Sequence, residues 1–130
     1  MSRALLDGVR VLDLTNVLAG PFATLHLALL GAEVIKVENP KDGDLARKLG
    51  ICTELNDQLM GTSFLAQNAN KKLLTLNTKA PEGKDLFKRL VATADVLVEN
   101  FRPDVMPRLG LGYDVLKGIN PRLVYCAISG

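Results

Sequence analysis

The stretch from Val9 to Pro40, VRVLDLTNVLAGPFATLHLALLGAEVIKVENP, restricts the fold more than any other part of the chain. It reads as a strand, a tight loop, a buried apolar helix and a second strand. Gly20-Pro21 falls at the helix start. Proline is tolerated at the first helical position because that residue's N–H has no intrahelical acceptor and its fixed φ already suits a helix. The first-turn amides of such a helix point outward from the positive end of its dipole, toward a phosphate or a carboxylate. The loop lacks the glycine spacing of a dinucleotide fingerprint.

The pattern continues downstream. Strand-like runs fall at Val9–Leu14, Glu33–Glu38, Leu73–Asn77, Asp95–Glu99 and Leu123–Ile128, short and aliphatic as doubly covered parallel strands are. Between them, Pro21–Leu30 is apolar nearly all round and ends at Gly31, which predicts a buried helix with a glycine cap. Pro81–Ala94 is amphipathic, with Leu86, Phe87, Leu90, Val91 and Ala94 on one face and its charges ordered to suit the helix dipole. Short helices are expected at Pro103–Leu109 and Tyr113–Ile119. Lys41–Asn70 is less regular, with one helix near Gly61–Asn70. Strands alternating with helices predict an α/β fold: a mostly parallel sheet with right-handed crossovers and helices on both faces.

Composition excludes several classes. At 130 residues, 48% hydrophobic and 23% charged, the chain has the make-up of an ordinary globular domain large enough for a core. The net charge of +2, scattered basic residues and few aromatics give no nucleic-acid stripe. No apolar run is long enough to span a membrane or to form a signal peptide, so a cytoplasmic location is expected. Cys52 and Cys126 form no C-x-x-C pair and read as buried free thiols. No His, Cys and acid cluster has metal-ligand spacing.

In such sheets ligands lie beyond the carboxyl ends of the strands. Those ends are Thr15–Pro21, Glu38–Asp44, Asn77–Lys79, Asn100–Arg102 and Gly130. The chain stops on what reads as the last residue of a strand, so a fragment of a longer protein is expected. Each candidate has a plain structural reading too. Glu38 mimics the ribose-binding acid of nicotinamide enzymes, yet also reads as a solvated carboxylate or a partner for a nearby lysine. Lys71 and Lys72 read equally as a solvated edge, Phe101 as core, Arg108 as a cation favoured late in a short helix, and His26 as a packing histidine. Lys79 precedes a helix start, an unfavourable place for a cation unless a phosphate partners it.

The strings LDGVRVLDLTNVLAGPFAT, LGAEVIKVENPKDGD, NANKKLLTLNTKAPEGK, ADVLVENFRPDVMPRLGLGY and NPRLVYCAISG, in this order, resemble the N-terminal segment of the family III CoA-transferases. That family includes formyl-CoA:oxalate transferase, the carnitine CoA-transferases and α-methylacyl-CoA racemases. The resemblance implies that residues 1–130 are the N-terminal, CoA-binding, Rossmann-like part of a chain roughly three times as long. It further implies an interlocked homodimer acting on an acyl-CoA and a small carboxylic acid. CoA is then a substrate, with no permanently bound cofactor and no metal. The family's nucleophilic aspartate lies beyond Gly130, so no catalytic residue is expected in this chain.

By the same resemblance, Asn16, Val17, Leu18 and Ala19 line the pantetheine and thioester end. Leu76, Asn77, Thr78 and Lys79 approach the adenine and its phosphates, Asn100, Phe101 and Arg102 flank the nucleotide, and Arg108 meets a phosphate. Fixed cations and an apolar or stacking surface are what a pyrophosphate, a 3′-phosphate and an adenine call for. Two positions depart from the family pattern. Leu18 stands where formyl-CoA-type members carry a glutamine that holds the acyl intermediate, which points away from formyl-CoA. Asn39 stands where the family often has arginine, with Lys41 nearby to supply the charge. The alternatives are an acyl-CoA racemase of the same superfamily, an NAD-binding module, or a non-catalytic assembly module.

Overall fold

A computed structural model describes residues 3–129. The chain alternates strictly at its start: β1 (Arg10–Asp13), α1 (Ala19–Leu29) and β2 (Glu33–Glu38). A 3-10 turn (Leu45–Lys48) and two short helices, α2 (Thr53–Asp57) and α3 (Thr62–Gln67), precede β3 (Lys72–Thr75). Then follow α4 (Pro81–Val91), β4 (Val96–Glu99), α5 (Val105–Arg108), α6 (Tyr113–Ile119) and β5 (Val124–Ala127). The strands form one five-stranded sheet in the order β3-β2-β1-β4-β5, and every pair is parallel. The strand order reverses at β1, which is where open α/β sheets place a ligand crevice.

Side-chain alternation assigns the two faces. Leu12, Leu14, Val37 and Leu97 pack with Phe87, Val91, Met106, Leu111, Leu116 and Leu123 beneath α4, α5 and α6. Val11, Val34 and Val98 pack with Ala28 and Ala32 beneath α1. The next α1-facing positions along β1 and β2 are Asp13 and Lys36, which are register partners and fully buried. The sheet face under α1 is thus aliphatic at its amino end and ionic at its carboxyl end.

Several expectations need correction. Helix α1 begins at Ala19, so Pro21 is its third residue rather than its first; it still lies in the turn whose N–H groups lack acceptors. This helix is not buried all round. Only Gly20, Pro21, Thr24 and Ala28 are buried, while Phe22 and Leu29 are 54% and 64% exposed. His26 lies on that open side, bonded through Nδ1 to the Phe22 carbonyl at 2.9 Å. The edge strands β3 and β5 are not doubly covered, and every β3 residue is exposed. Cys126 is exposed and Cys52 half-buried, and Leu86 of α4 faces outward. The strand expected at 123–128 ends at Ala127, and Gly130 lies outside the described residues. The 3-10 turn and α2 carry no amphipathic period, which is why the sequence did not mark them.

Candidate functional site

The chain leaving β1 crosses the carboxyl edge of the sheet at residues 14–18 before entering α1. Buried backbone polar groups must find partners, and here side chains from distant elements supply them. Lys36 Nζ donates to the Thr15 carbonyl at 2.7 Å. Asn100 accepts from the Asn16 N–H at 2.8 Å and donates to the Asn16 carbonyl at 2.9 Å. Asp44 Oδ1 accepts from the Val17 N–H at 2.9 Å. The Gln67 amide, with its nitrogen turned to the loop, donates to the Val17 and Leu18 carbonyls, each at 3.0 Å.

The clamped loop is strained. Val17 has φ +71°, a left-handed conformation that a β-branched residue seldom adopts and that costs about 1–3 kcal/mol. Close approach adds a second constraint: a Cβ on Gly20 would lie 2.2 Å from Thr15 Cβ, so only glycine lets the first turn of α1 settle on the end of β1.

Beneath the loop sit two ion pairs whose side chains are all fully buried, Lys71–Asp13 at 3.0 Å and Lys36–Asp44 at 2.9 Å. Asp13 also accepts from the Thr15 N–H, the Thr15 hydroxyl and the Thr24 hydroxyl. Lys71 further donates to the Pro21 carbonyl, Thr24 Oγ1 and Asn68 Oδ1. Burial pulls the Lys71 ammonium below its usual range, and the Asp13 carboxylate opposes that pull. Burial works to raise the Asp44 carboxyl, but the Ala46 and Val17 N–H groups and the Lys36 ammonium together hold it below the ordinary carboxylate range. All four groups are spent on one another, on backbone and on the Thr15, Thr24 and Asn68 side chains, so they shape the loop and are closed to a substrate.

Beside the loop lies a cleft of about 150 Å³. Of the residues expected from the sequence, Asn16, Asn39, Leu76, Thr78, Lys79 and Phe101 line it, along with Glu38 and Gly43. Val17, Leu18 and Ala19 are exposed on the neighbouring loop. Asn77 accepts from the Lys79 N–H at 3.1 Å and caps its own turn. A Cβ at Gly83 would lie 1.9 Å from the Asn77 carbonyl, so that turn is pressed directly against α4. Asn100 spends its amide on Asn16, and Arg102 is exposed away from the cleft lining. Arg108 is also exposed and pairs with Asp104 at 3.2 Å, four residues earlier.

Glu38 is neither solvated nor paired with a lysine. It is buried, and Arg47 grips both its oxygens at 2.8 and 3.0 Å while stacking over Phe64. The acid at the ribose-binding position of a nicotinamide enzyme is thereby occupied. Sequence reasoning passed over Lys36, Asp44, Gln67 and the buried role of Lys71. One signal was available: a single charge inside VLDL and another inside VIKV interrupt otherwise apolar strands.

An all-parallel sheet whose loops converge on a cleft at its carboxyl edge, without a glycine-rich turn, defines a Rossmann-like α/β domain that departs from the dinucleotide fingerprint. The chain belongs to CoA-transferase family III, whose family description matches residues 6–130. It is 49% identical over 128 residues to succinyl-CoA:glutarate CoA-transferase of Mus musculus, covering 96% of this chain and 28% of that protein. It is 45% identical over 130 residues to formyl-CoA:oxalate CoA-transferase of Streptomyces coelicolor, covering all of this chain and 31% of that protein. Among solved structures, a CAIB/BAIF family protein from Brucella suis superposes with a TM-score of 0.86 at 40% identity, covering 99% of this chain and 34% of that one. The chain thus spans about a third of the length of the relatives it matches.

Proposed function

We propose that the full-length protein moves CoA between an acyl-CoA thioester and a carboxylic acid, and that residues 1–130 supply the N-terminal part of the CoA seat. One observation carries this reading: the chain matches a CoA-transferase family along nearly its whole length, at 45–49% identity to relatives named for that reaction. Chemically, a downstream aspartate attacks the thioester and expels CoA thiolate to give a mixed anhydride; the thiolate then attacks the aspartyl carbonyl, releasing the donor acid and leaving an aspartyl-CoA thioester. The acceptor carboxylate attacks that thioester, and the same two exchanges in reverse return CoA on the acceptor and free the aspartate. A carboxylate is a weak nucleophile, so the reaction depends on positioning and on N–H donors for the developing oxyanion.

In this reading the clamped 15–18 loop faces the acyl end and the cleft beside Leu76, Thr78, Lys79 and Phe101 takes part of the nucleotide. Arg102 is exposed to meet a phosphate, and Arg108 can do so by exchanging its exposed partner Asp104 for one. Micromolar binding needs about 8 kcal/mol, and a helix-terminus contact contributes only about 0.3–1 kcal/mol, so many such groups act together. Leu18 points to an acyl group other than formyl. Location in the cytoplasm and an interlocked homodimer belong to the same proposal.

The test is CoA exchange by the full-length protein across succinyl-, glutaryl-, malyl- and oxalyl-type donors and acceptors, with sedimentation for the dimer. Transfer is expected from the long protein and none from the 130-residue chain. Exchange of the α-proton of a 2-methylacyl-CoA without transfer would replace this reading with a racemase.

A further inference from the structure

We propose that Asp44 is a positioning residue: through one hydrogen bond to the Val17 N–H it holds the Val17–Leu18 turn in the left-handed shape that the acyl end of the seat requires. The proposal rests on the CoA-transfer reading above and adds to it the residue that sets the turn. A valine at φ +71° persists only where its surroundings over-determine it. Asp44 supplies that constraint. The same Oδ1 accepts from the Val17 N–H and the Ala46 N–H, each at 2.9 Å, so one atom caps the 3-10 turn and grips the loop. Its other oxygen faces Lys36, which itself donates to the Thr15 carbonyl.

Burial of the acceptor strengthens the bond, because Asp44 is sealed from water even though Val17 itself is exposed. Position gives it meaning. Asp44 directly follows Gly43, which with Asn39 lines the cleft. One short segment therefore borders the cleft on one side and fixes the turn on the other. Asp44 itself is sealed from substrate and acts only through Val17.

The test compares two double variants of the full-length protein. K36M/D44N and K36M/D44L both remove the buried charge pair, so neither strands a lone ion, and they differ in whether residue 44 offers an acceptor. K36M/D44N is the reference, since both variants lose the Lys36 bond to the Thr15 carbonyl and only this one keeps an acceptor at residue 44. Relative to it, K36M/D44L is expected to lose at least tenfold in kcat with KM for acyl-CoA within about twofold. Adding Val17→Gly to K36M/D44L should restore most of the loss, because glycine takes positive φ without strain.

Amide exchange across residues 15–19 should follow the same order, faster in K36M/D44L and slowed again by the glycine. That readout needs no activity: if the parent protein transfers no CoA, the proposed function fails while exchange still tests the turn. If K36M/D44L does not fold, K36M/D44S serves in its place, since serine can cap the 3-10 turn but is too short to reach Val17. Equal kcat and equal exchange in the acceptor and non-acceptor variants would overturn the proposal. So would a loss that Val17→Gly leaves uncorrected.

Discussion

The two faces of the sheet are held by different physics. Under α4, α5 and α6, eleven buried side chains form one continuous apolar cluster. Under α1, five small aliphatic side chains give way toward the carboxyl edge to Asp13, Lys36, Asp44 and Lys71. Hydrophobic packing is tolerant of shape, and its energy scales with area. A buried ion pair contributes little net stability but fixes where its atoms lie, and it is costly to break by half. The tolerant material lies away from the loop, and the exacting material lies directly beneath it.

The contrast breaks most decisively at Lys71. Lys71→Met strands the Asp13 carboxylate in a sealed site and is expected to cost about 3–5 kcal/mol in urea unfolding. Leu97→Met, equally buried on the other face, should cost less than about 1.5 kcal/mol. Similar costs for the two would mean that the faces are not distinct.

Acid sharpens the comparison with a smaller effect. The folded-state Asp44 carboxyl lies below its ordinary value, so its stabilisation is complete above about pH 4. It is lost as pH falls through the lower folded value, because the unfolded chain takes up the proton first. Urea midpoints measured from pH 6 to pH 3 should therefore drop, and the drop should shrink in K36M/D44N. The smallest effect is expected at Arg108, whose exposed pair with Asp104 contributes no more than about 0.5 kcal/mol to stability. Arg108→Ala should instead weaken CoA more than dephospho-CoA in a binding titration. Equal losses on both ligands would assign Arg108 to the helix alone.

The apolar face was the legible one. Short aliphatic runs and the amphipathic stripe of α4 placed every strand and the main core helix within a few residues, because packing there follows hydrophobic pattern alone. Tyr113–Ile119 matches helix α6 residue for residue. The ionic face was not legible, since its partners lie far apart in sequence: Asp13 meets Lys71 across 58 positions and Asn16 meets Asn100 across 84. No local rule distinguishes such a lysine from a solvated one. The cleft was half visible. Residues at strand ends were found by topology, whereas Asn100 and Arg108 have partners inside the chain that residue type alone does not reveal. The buried reading of α1 and of Cys126 failed because apolar composition cannot say which neighbour, if any, covers a surface.

The central position of β1 also sets the order of events during synthesis. Its partner β2 emerges soon after it, but Val11 pairs with Val96 on its other side, 85 residues later. At about 5–20 residues per second the ribosome takes on the order of 4–17 s to deliver that neighbour. Throughout this wait β1 stands with one bare edge, open to stray chains, while β3 arrives to pair with β2 on the far side. Asp13, still hydrated at that stage, puts a charge on that strand and discourages adhesion until the nascent polypeptide completes the pairing.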